Sequence, residues 1–244
     1  MIKYSLFDLD GTLFEHVFIL QFGLHYKTDK KIYFKEEYET FSNHTRNLVV
    51  NYKIDHNYDK LAKDFIDLLA LEYQNKSEDV LFSDLISFSK NNLKISQIAS
   101  WVIPIFEKLN NLDIKIYIVT NSTGAFVRLF KYLLNKDAPH IEINGQLNSI
   151  LKKDPHKKYN GEVLFYCNSL NKAEFMKKKF KEIDFNFTFS VGDSVGDIPL
   201  LLKTKKGFLI TNNIDENTQI PDKIQKVKHN TIQNVLLNYL KIEL

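Results

Sequence analysis

The chain has 244 residues with a formal net charge of +3, 44% hydrophobic and 26% charged, which is long for one compact domain and suits one large domain or a core with an insertion. A near-balanced charge, only two arginines (Arg46 and Arg128) and no basic patch interleaved with a stacking motif give no nucleic-acid footprint, and no run reaches the roughly 18 apolar residues of a membrane span. The single cysteine, Cys167, excludes an intramolecular disulfide and a cysteine metal cluster, and the start of the chain, with two acids in its first ten residues, is unlike a secretory signal; both fit a cytoplasmic protein.

Short apolar runs bounded by polar or glycine turns predict buried strands at 2–7, 114–119, 187–191 and 207–210. Just after the first, the pattern changes. From about residue 15 to about 93, Lys, Glu, Asp, Tyr and Phe recur at helical spacing, and in YDKLAKDFIDLLALEY the residues Leu61, Phe65, Leu68 and Leu69 form the i, i+4, i+7, i+8 stripe of an amphipathic helix. This segment reads as an inserted helical lid. Helical patterns at 125–134, 172–183 and 198–203 alternate with the later strands, which favours a parallel sheet with crossover helices. Residues 141–168 carry Asn144-Gly145 and Asn160-Gly161, pairs that favour tight hairpin turns and a β excursion. The lysines at 177–179 and 181 read as the solvated face of a helix.

The stretch YSLFDLDGTLF ends a strand on two acids. Asp8 and Asp10, at i and i+2 on an extended chain, point the same way, at the carboxyl end of a strand, where open α/β sheets bind ligands. Two adjacent carboxylates repel, so either one holds a proton or a cation sits between them. A second strand ends in GDSVGD, supplying Asp193 and Asp197. Each is a candidate for turn or helix-capping duty; together with the first pair they make an oxygen-donor set of the kind Mg²⁺ takes. The strand IKIYIVTNSTG ends at Thr120, whose hydroxyl and neighbouring amides suit a phosphate oxygen, with capping of the next helix by Thr120 or Ser122 as the alternative. Lys172 stands at the start of the helix that precedes the GDSVGD strand.

In this order DLDGT, IVTNS, Lys172 and GDSVGD resemble the four motifs of the haloacid dehalogenase superfamily of phosphohydrolases, and the lid after the first motif resembles the phosphoserine phosphatase-like branch with a helical cap. The resemblance implies an α/β fold: a Rossmann-like parallel-sheet core from residues 1–14 and 95–244, with a helical cap at 15–94. It implies a Mg²⁺-dependent phosphatase acting on a small-metabolite phosphomonoester, such as an amino-alcohol, amino-acid or sugar phosphate. Asp8 would be the nucleophile that forms an aspartyl-phosphate and Asp10 the general acid and base. Asp8, the main-chain carbonyl of Asp10, and Asp193 would hold the metal, with Asp197 ligating through water or orienting the others; Thr120, Asn121 and Lys172 would bind the phosphoryl oxygens. A phosphoprotein phosphatase, a phosphotransferase or a non-catalytic module of the same fold are the rival readings. Phosphoserine phosphatases place an acid seven residues after the second aspartate, where this chain has Val17. Arg46 is the only cap arginine, and Gly196 stands where Asn is common. These departures speak against phosphoserine itself. His16, His25 and His44 have no spacing that identifies a ligand.

Overall fold

The structure is a computed structural model and describes residues 3–26, 31–34, 37–55, 57–179, 189–212, 214 and 218–242. A seven-stranded sheet in the order β6-β5-β4-β1-β7-β8-β9 forms its centre. Its strands are β1 (Lys3–Phe7), β4 (Ile114–Thr123), β5 (Gly145–Lys153), β6 (Tyr159–Phe165), β7 (Phe189–Gly192), β8 (Lys206–Ile210) and β9 (Ile224–Val227). Every neighbouring pair is parallel except β5 with β6 at the edge. The helices flanking the sheet are α5 (Val102–Asn111), α6 (Gly124–Asp137), α7 (Ser169–Lys179), α8 (Ile198–Lys203) and α9 (Ile232–Ile242). This is the expected α/β architecture. Of the predicted segments, residues 2, 187–188 and 180–183 lie outside the described residues, as do residue 181 and the side chains of 177–179.

Between β1 and β4 come α1 (Phe18–His25), the antiparallel pair β2 (Lys31–Phe34) and β3 (Glu37–Thr40), then α2 (Phe41–Asp55), α3 (Tyr58–Glu72) and α4 (Glu78–Asn91). The all-helical expectation for this stretch is therefore corrected by one hairpin, whose strands are KIYF and EYET. The two passages between sheet and helices are zipped together: Glu15 N donates to Gln97 O, Ala99 N to Leu13 O, and Phe14 bridges Ile98. The inserted helices are not a loose appendage. Phe14, Phe18 and Phe22 join Phe126 and Phe130 of α6 to Phe41 and Phe65 of α2 and α3 through ring contacts of 5.0–6.2 Å, in one buried aromatic cluster.

The Asn-Gly pairs do not make the β5–β6 turn. That turn is Asp154 to Lys158, where Asp154 Oδ1 accepts from His156 N and Lys158 N and Lys157 takes a positive φ. Asn144 instead accepts from Ile116 N at the start of β5, and Gly161 lies within β6. An Asx-turn supplied by Asp154 thus replaces the expected Asn-Gly geometry. No described helix is long and apolar enough to cross a membrane.

Candidate active site

β1 is the strand at which the sheet order reverses, with β4 on one side and β7 on the other. Their carboxyl ends open the crevice that such a switch point creates. Asp8 follows β1 and donates its amide to Val191 O at 2.9 Å, while Asp193 follows β7. After Asp8 the chain makes a wide turn over Leu9–Leu13, closed by Phe14 N donating to Leu9 O. Gly11 takes φ +73° there, and a Cβ on it would lie 2.1 Å from Asp193 Oδ2. The glycine of DGT is therefore required both for the turn and for the close approach of Asp193. Thr12 Oγ1 donates to Asp193 Oδ1 at 3.1 Å, and His229 Nε2, just past β9, donates to Gly11 O at 2.9 Å, holding the turn.

Lys172, in the first turn of α7, reaches the crevice fully buried. Its Nζ donates to Asp8 Oδ1 and to Asp197 Oδ1, both at 2.7 Å. Asp197 Oδ2 accepts from Asp193 N and from the amide and hydroxyl of Ser194. The capping duty expected for Asp197 is thus met by the same side chain that contacts Lys172. Oxygens of Asp8, Asp193 and Asp197 lie within 4.8 Å of one another. Burial pushes the Asp8 carboxyl up to about 8, with Asp197 adding to the shift and Lys172 opposing it. Burial likewise raises Asp193 well above the carboxylate range, helped by Asp8 and Asp197. Burial alone would lower Lys172, but Asp197 and Asp8 more than offset it and keep it cationic. One ammonium faces several buried carboxylates, an imbalance that a bound cation relieves. The donors are hard oxygens, the set that suits Mg²⁺ rather than a soft metal, and Oδ2 of Asp8 and of Asp193 carry no hydrogen bond among the described residues.

Asp10 turns away from Lys172 toward the insertion. Its Oδ1 accepts from Ile19 N at 2.8 Å, satisfying a donor at the start of α1 that has no partner inside the helix, and its Oδ2 accepts from Ser122 Oγ. Burial raises its carboxyl, while the bonds from Ser122 and Ile19 hold it down. β4 runs past the expected end at Thr120 to Thr123. Thr120 is buried and its Oγ1 accepts from Ser122 N. Neither Thr120 nor Ser122 caps α6, whose N-cap position is Thr123. Asn121 lies beside them, but its side-chain amide donates to Ala62 O of α3 and accepts from Ser149 Oγ. Cys167 is buried nearby with its thiol pushed up to about 12 by burial, which removes it as a competing nucleophile.

One face of α3 is fastened to the sheet domain. Asp59 Oδ1 accepts from Ser169 N and Oγ, and Asp67 Oδ1 accepts from Tyr166 OH. Tyr58, at the start of α3, occupies the space beside Gly196, where a Cβ would lie 2.3 Å from its ring. The residue that departs from the family pattern is therefore the one against which the insertion packs. Above the acids α1, α2 and α3 close a cavity of about 640 Å³. Val17 lines it, but Arg46 donates to Asn43 on the surface, and His16, His25 and His44 are not among its lining residues. Sequence reasoning missed Thr12, Ser122 and Ser194, although each lies inside a motif that it singled out. It also missed Tyr58, Lys53 and His229, for which the sequence offers no local signal.

No protein-family model matches the chain, and no curated protein matches it in sequence. Solved structures do. A phosphoserine phosphohydrolase-like protein from Francisella tularensis subsp. tularensis SCHU S4 is similar with a TM-score of 0.62 and 15% identity, over 97% of this chain and 99% of that one. A phosphoserine phosphatase in its apo form gives 0.60 and 14%, over 98% and 99%. A HAD family hydrolase from Salmonella enterica subsp. enterica serovar Typhi gives 0.61 and 10%, over 93% and 67%. The chain has the fold of haloacid dehalogenase-type hydrolases in its phosphoserine phosphatase-like form, in agreement with the resemblance carried by the four motifs.

Proposed function

We propose that the protein is a Mg²⁺-dependent phosphatase that hydrolyses a small-metabolite phosphomonoester through a phosphorylated Asp8. The observation that carries this reading is the convergence of Asp8, Asp193, Asp197 and Lys172 in one buried crevice, with Asp10, Thr120 and Ser122 beside them. Residues 15–94 act as the cap over a core of 1–14 and 95–244, and the single buried thiol suits a cytoplasmic setting.

Mg²⁺ would be held by Asp8, the Asp10 carbonyl and Asp193, with Asp197 orienting that set and the Lys172 ammonium. The metal would neutralise the repulsion between an attacking carboxylate and a phosphate. The ionised Asp8 forms an O–P bond in line as the ester P–O bond breaks, and Asp10 gives its proton to the departing alkoxide. Water then attacks phosphorus, Asp10 takes its proton, and the Asp8 O–P bond breaks to release phosphate. Asp10 must alternate between charge states, and its environment, burial opposed by two hydrogen bonds, suits that duty. Lys172, Thr120 and the amides around Asn121 hold the phosphoryl oxygens.

Phosphate release from a panel of small phosphomonoesters should require Mg²⁺, stop on chelation and return on its re-addition. Release indifferent to chelator would overturn the metal-dependent reading.

The shifted acids give a second expected result. The folded-state value of Asp8, about 8, lies above its ordinary 3.8, so between these values the folded protein binds more protons than the unfolded chain. Stability of the chelated protein should therefore fall as pH rises through that window. Mg²⁺ replaces protons at the site, so it should raise the melting temperature more at pH 8 than at pH 5. Thermal unfolding with chelator and with Mg²⁺ at both values checks this; equal Mg²⁺ effects would count against the acids as metal ligands.

A further inference from the structure

We infer that the alcohol released by this site is apolar, an alkyl or aryl group, rather than an amino acid, amino alcohol or sugar. This rests on the phosphatase reading and concerns the part of the cavity that reading leaves open.

The cavity floor is the catalytic crevice, with Asp8, Asp10 and Asp193 and the ends of β4 and β7. Its walls are mainly apolar, with Val17, Ile19 and Leu20 of the chain entering and forming α1, Val49 of α2, and Leu61 and Phe65 of α3, joined by Tyr52 and Lys53 of α2, Tyr58 of α3 and Thr218. Phe65 and Leu61 are both buried, and Phe65, at 2% exposure, belongs to the packed aromatic cluster that anchors the insertion. Through Ile19 and Phe65 of that cluster, with Val17 and Leu20 packed against it, the apolar wall is continuous with the core. Among the described residues lining the cavity, the only basic side chain is Lys53, and the only carboxylates are the three on the floor.

A phosphorylated amino acid would bring an ammonium and a carboxylate into this space. Its ammonium would find no carboxylate except those engaged at the phosphate, and an unpaired charge among aliphatic side chains is costly. Of the polar groups lining the cavity, Ser122, Asn121 and Ser194 already bond Asp10, Ala62 and Asp197, so a sugar would bury more hydroxyls than Tyr52, Tyr58 and Thr218 could pair. An alkyl or aryl group meets no such penalty and gains from leaving water. The volume, about 640 Å³, falls in the range of roughly 300–1,000 Å³ that accommodates drug-sized ligands, so the apolar group can be considerably larger than an ethyl chain. Val17 occupies the position where phosphoserine phosphatases carry an acid, and its place in the wall gives that departure a structural role.

The test is phosphate release from a series of n-alkyl phosphates, ethyl to octyl, beside phosphoserine, phosphoethanolamine and glucose 6-phosphate, all with Mg²⁺. Burial of a methylene is worth about 0.8 kcal/mol, so kcat/KM should climb by up to about fourfold per added carbon. Hexyl phosphate should exceed the three polar esters by about 100-fold. Leu20→Asp should flatten the series, and Leu20→Met should preserve it, with circular dichroism confirming that both fold. A flat or falling series, or preference for a polar ester, would overturn the inference while leaving a chelator-sensitive phosphatase in place. If no ester is hydrolysed, the reading of the reaction fails and a binding measurement still decides the cavity. Calorimetry with the Asp8→Asn protein and Mg²⁺ should then show octyl phosphate binding about 100-fold more tightly than phosphoserine, and equal or weaker binding would overturn the inference.

Discussion

Replacing Asp8 with asparagine is expected to lower phosphate release by at least about 10⁴-fold, the scale of loss seen when a nucleophile is removed from an otherwise intact site. An amide of the same size can still accept the hydrogen bond from Lys172, so the crevice keeps its packing, but it has no charge with which to attack phosphorus. The variant should also be at least as stable as the parent when metal-free at pH 7.5. One of several buried, mutually repelling carboxylates has been neutralised, and burial is the largest cause of the Asp8 shift. Activity and stability should therefore move in opposite directions, which separates loss of the nucleophile from loss of the fold. Steady-state kinetics and thermal unfolding on the same preparation check both. More than about 1% residual turnover would remove Asp8 as the nucleophile.

Lys172→Ala is expected to be the most destabilising single change in the site. The ammonium is 3% exposed and lies 2.7 Å from carboxylates that are themselves 8% and 1% exposed. Removing it leaves Asp8 and Asp197 buried without their counter-charge, which costs about 3–5 kcal/mol. For a chain of this size that is a fall of roughly 6–20 °C in melting temperature. The penalty should be larger at pH 9 than at pH 6, because the buried Asp8, whose carboxyl is pushed up to about 8, ionises above that value and then lacks the opposing charge of Lys172. Phosphate release should fall by a further factor of about 10²–10³ even where the variant is folded, since a charged donor has been taken from a partly dry site. Unfolding at the two pH values is the measurement. A change of less than about 1 kcal/mol at pH 9 would show that the pair contributes little net stability in the parent.

The fastening of α3 connects these residues to the cavity above them. Asp59 bonds the start of α7, three residues before Lys172, and the Asn121 amide ties the end of β4 to Ala62. The helix that supplies the apolar wall through Leu61 and Phe65 is thus held by the elements that carry Lys172 and Thr120. Such coupling places the apolar wall in fixed register with Asp8 and Lys172, the kind of rigid arrangement that positions a bound molecule.

The acids and the lysine were legible in the sequence for a local reason. A buried strand must end in a turn, and a polar residue at that turn lies on the rim where a parallel sheet binds its ligands. Asp8, Asp10, Thr120 and Asp193 therefore declared themselves by following apolar runs, and Lys172 by its place in the order of motifs. The amphipathic stripe of Leu61, Phe65, Leu68 and Leu69 was equally legible, because helical periodicity is written in neighbouring residues. The β2–β3 hairpin and the true β5–β6 turn were not. Four-residue strands are too short for a decisive alternation, and the Asp154 turn depends on its own side chain where the sequence advertised Asn-Gly. Tertiary structure alone brought Tyr58 against Gly196, His229 onto Gly11 and Ser122 onto Asp10. It alone turned Val17, Leu20, Val49 and Phe65 from three separate segments toward one cavity. Which faces of distant elements meet is fixed by packing the whole aromatic cluster at once, a condition that no window of neighbouring residues contains.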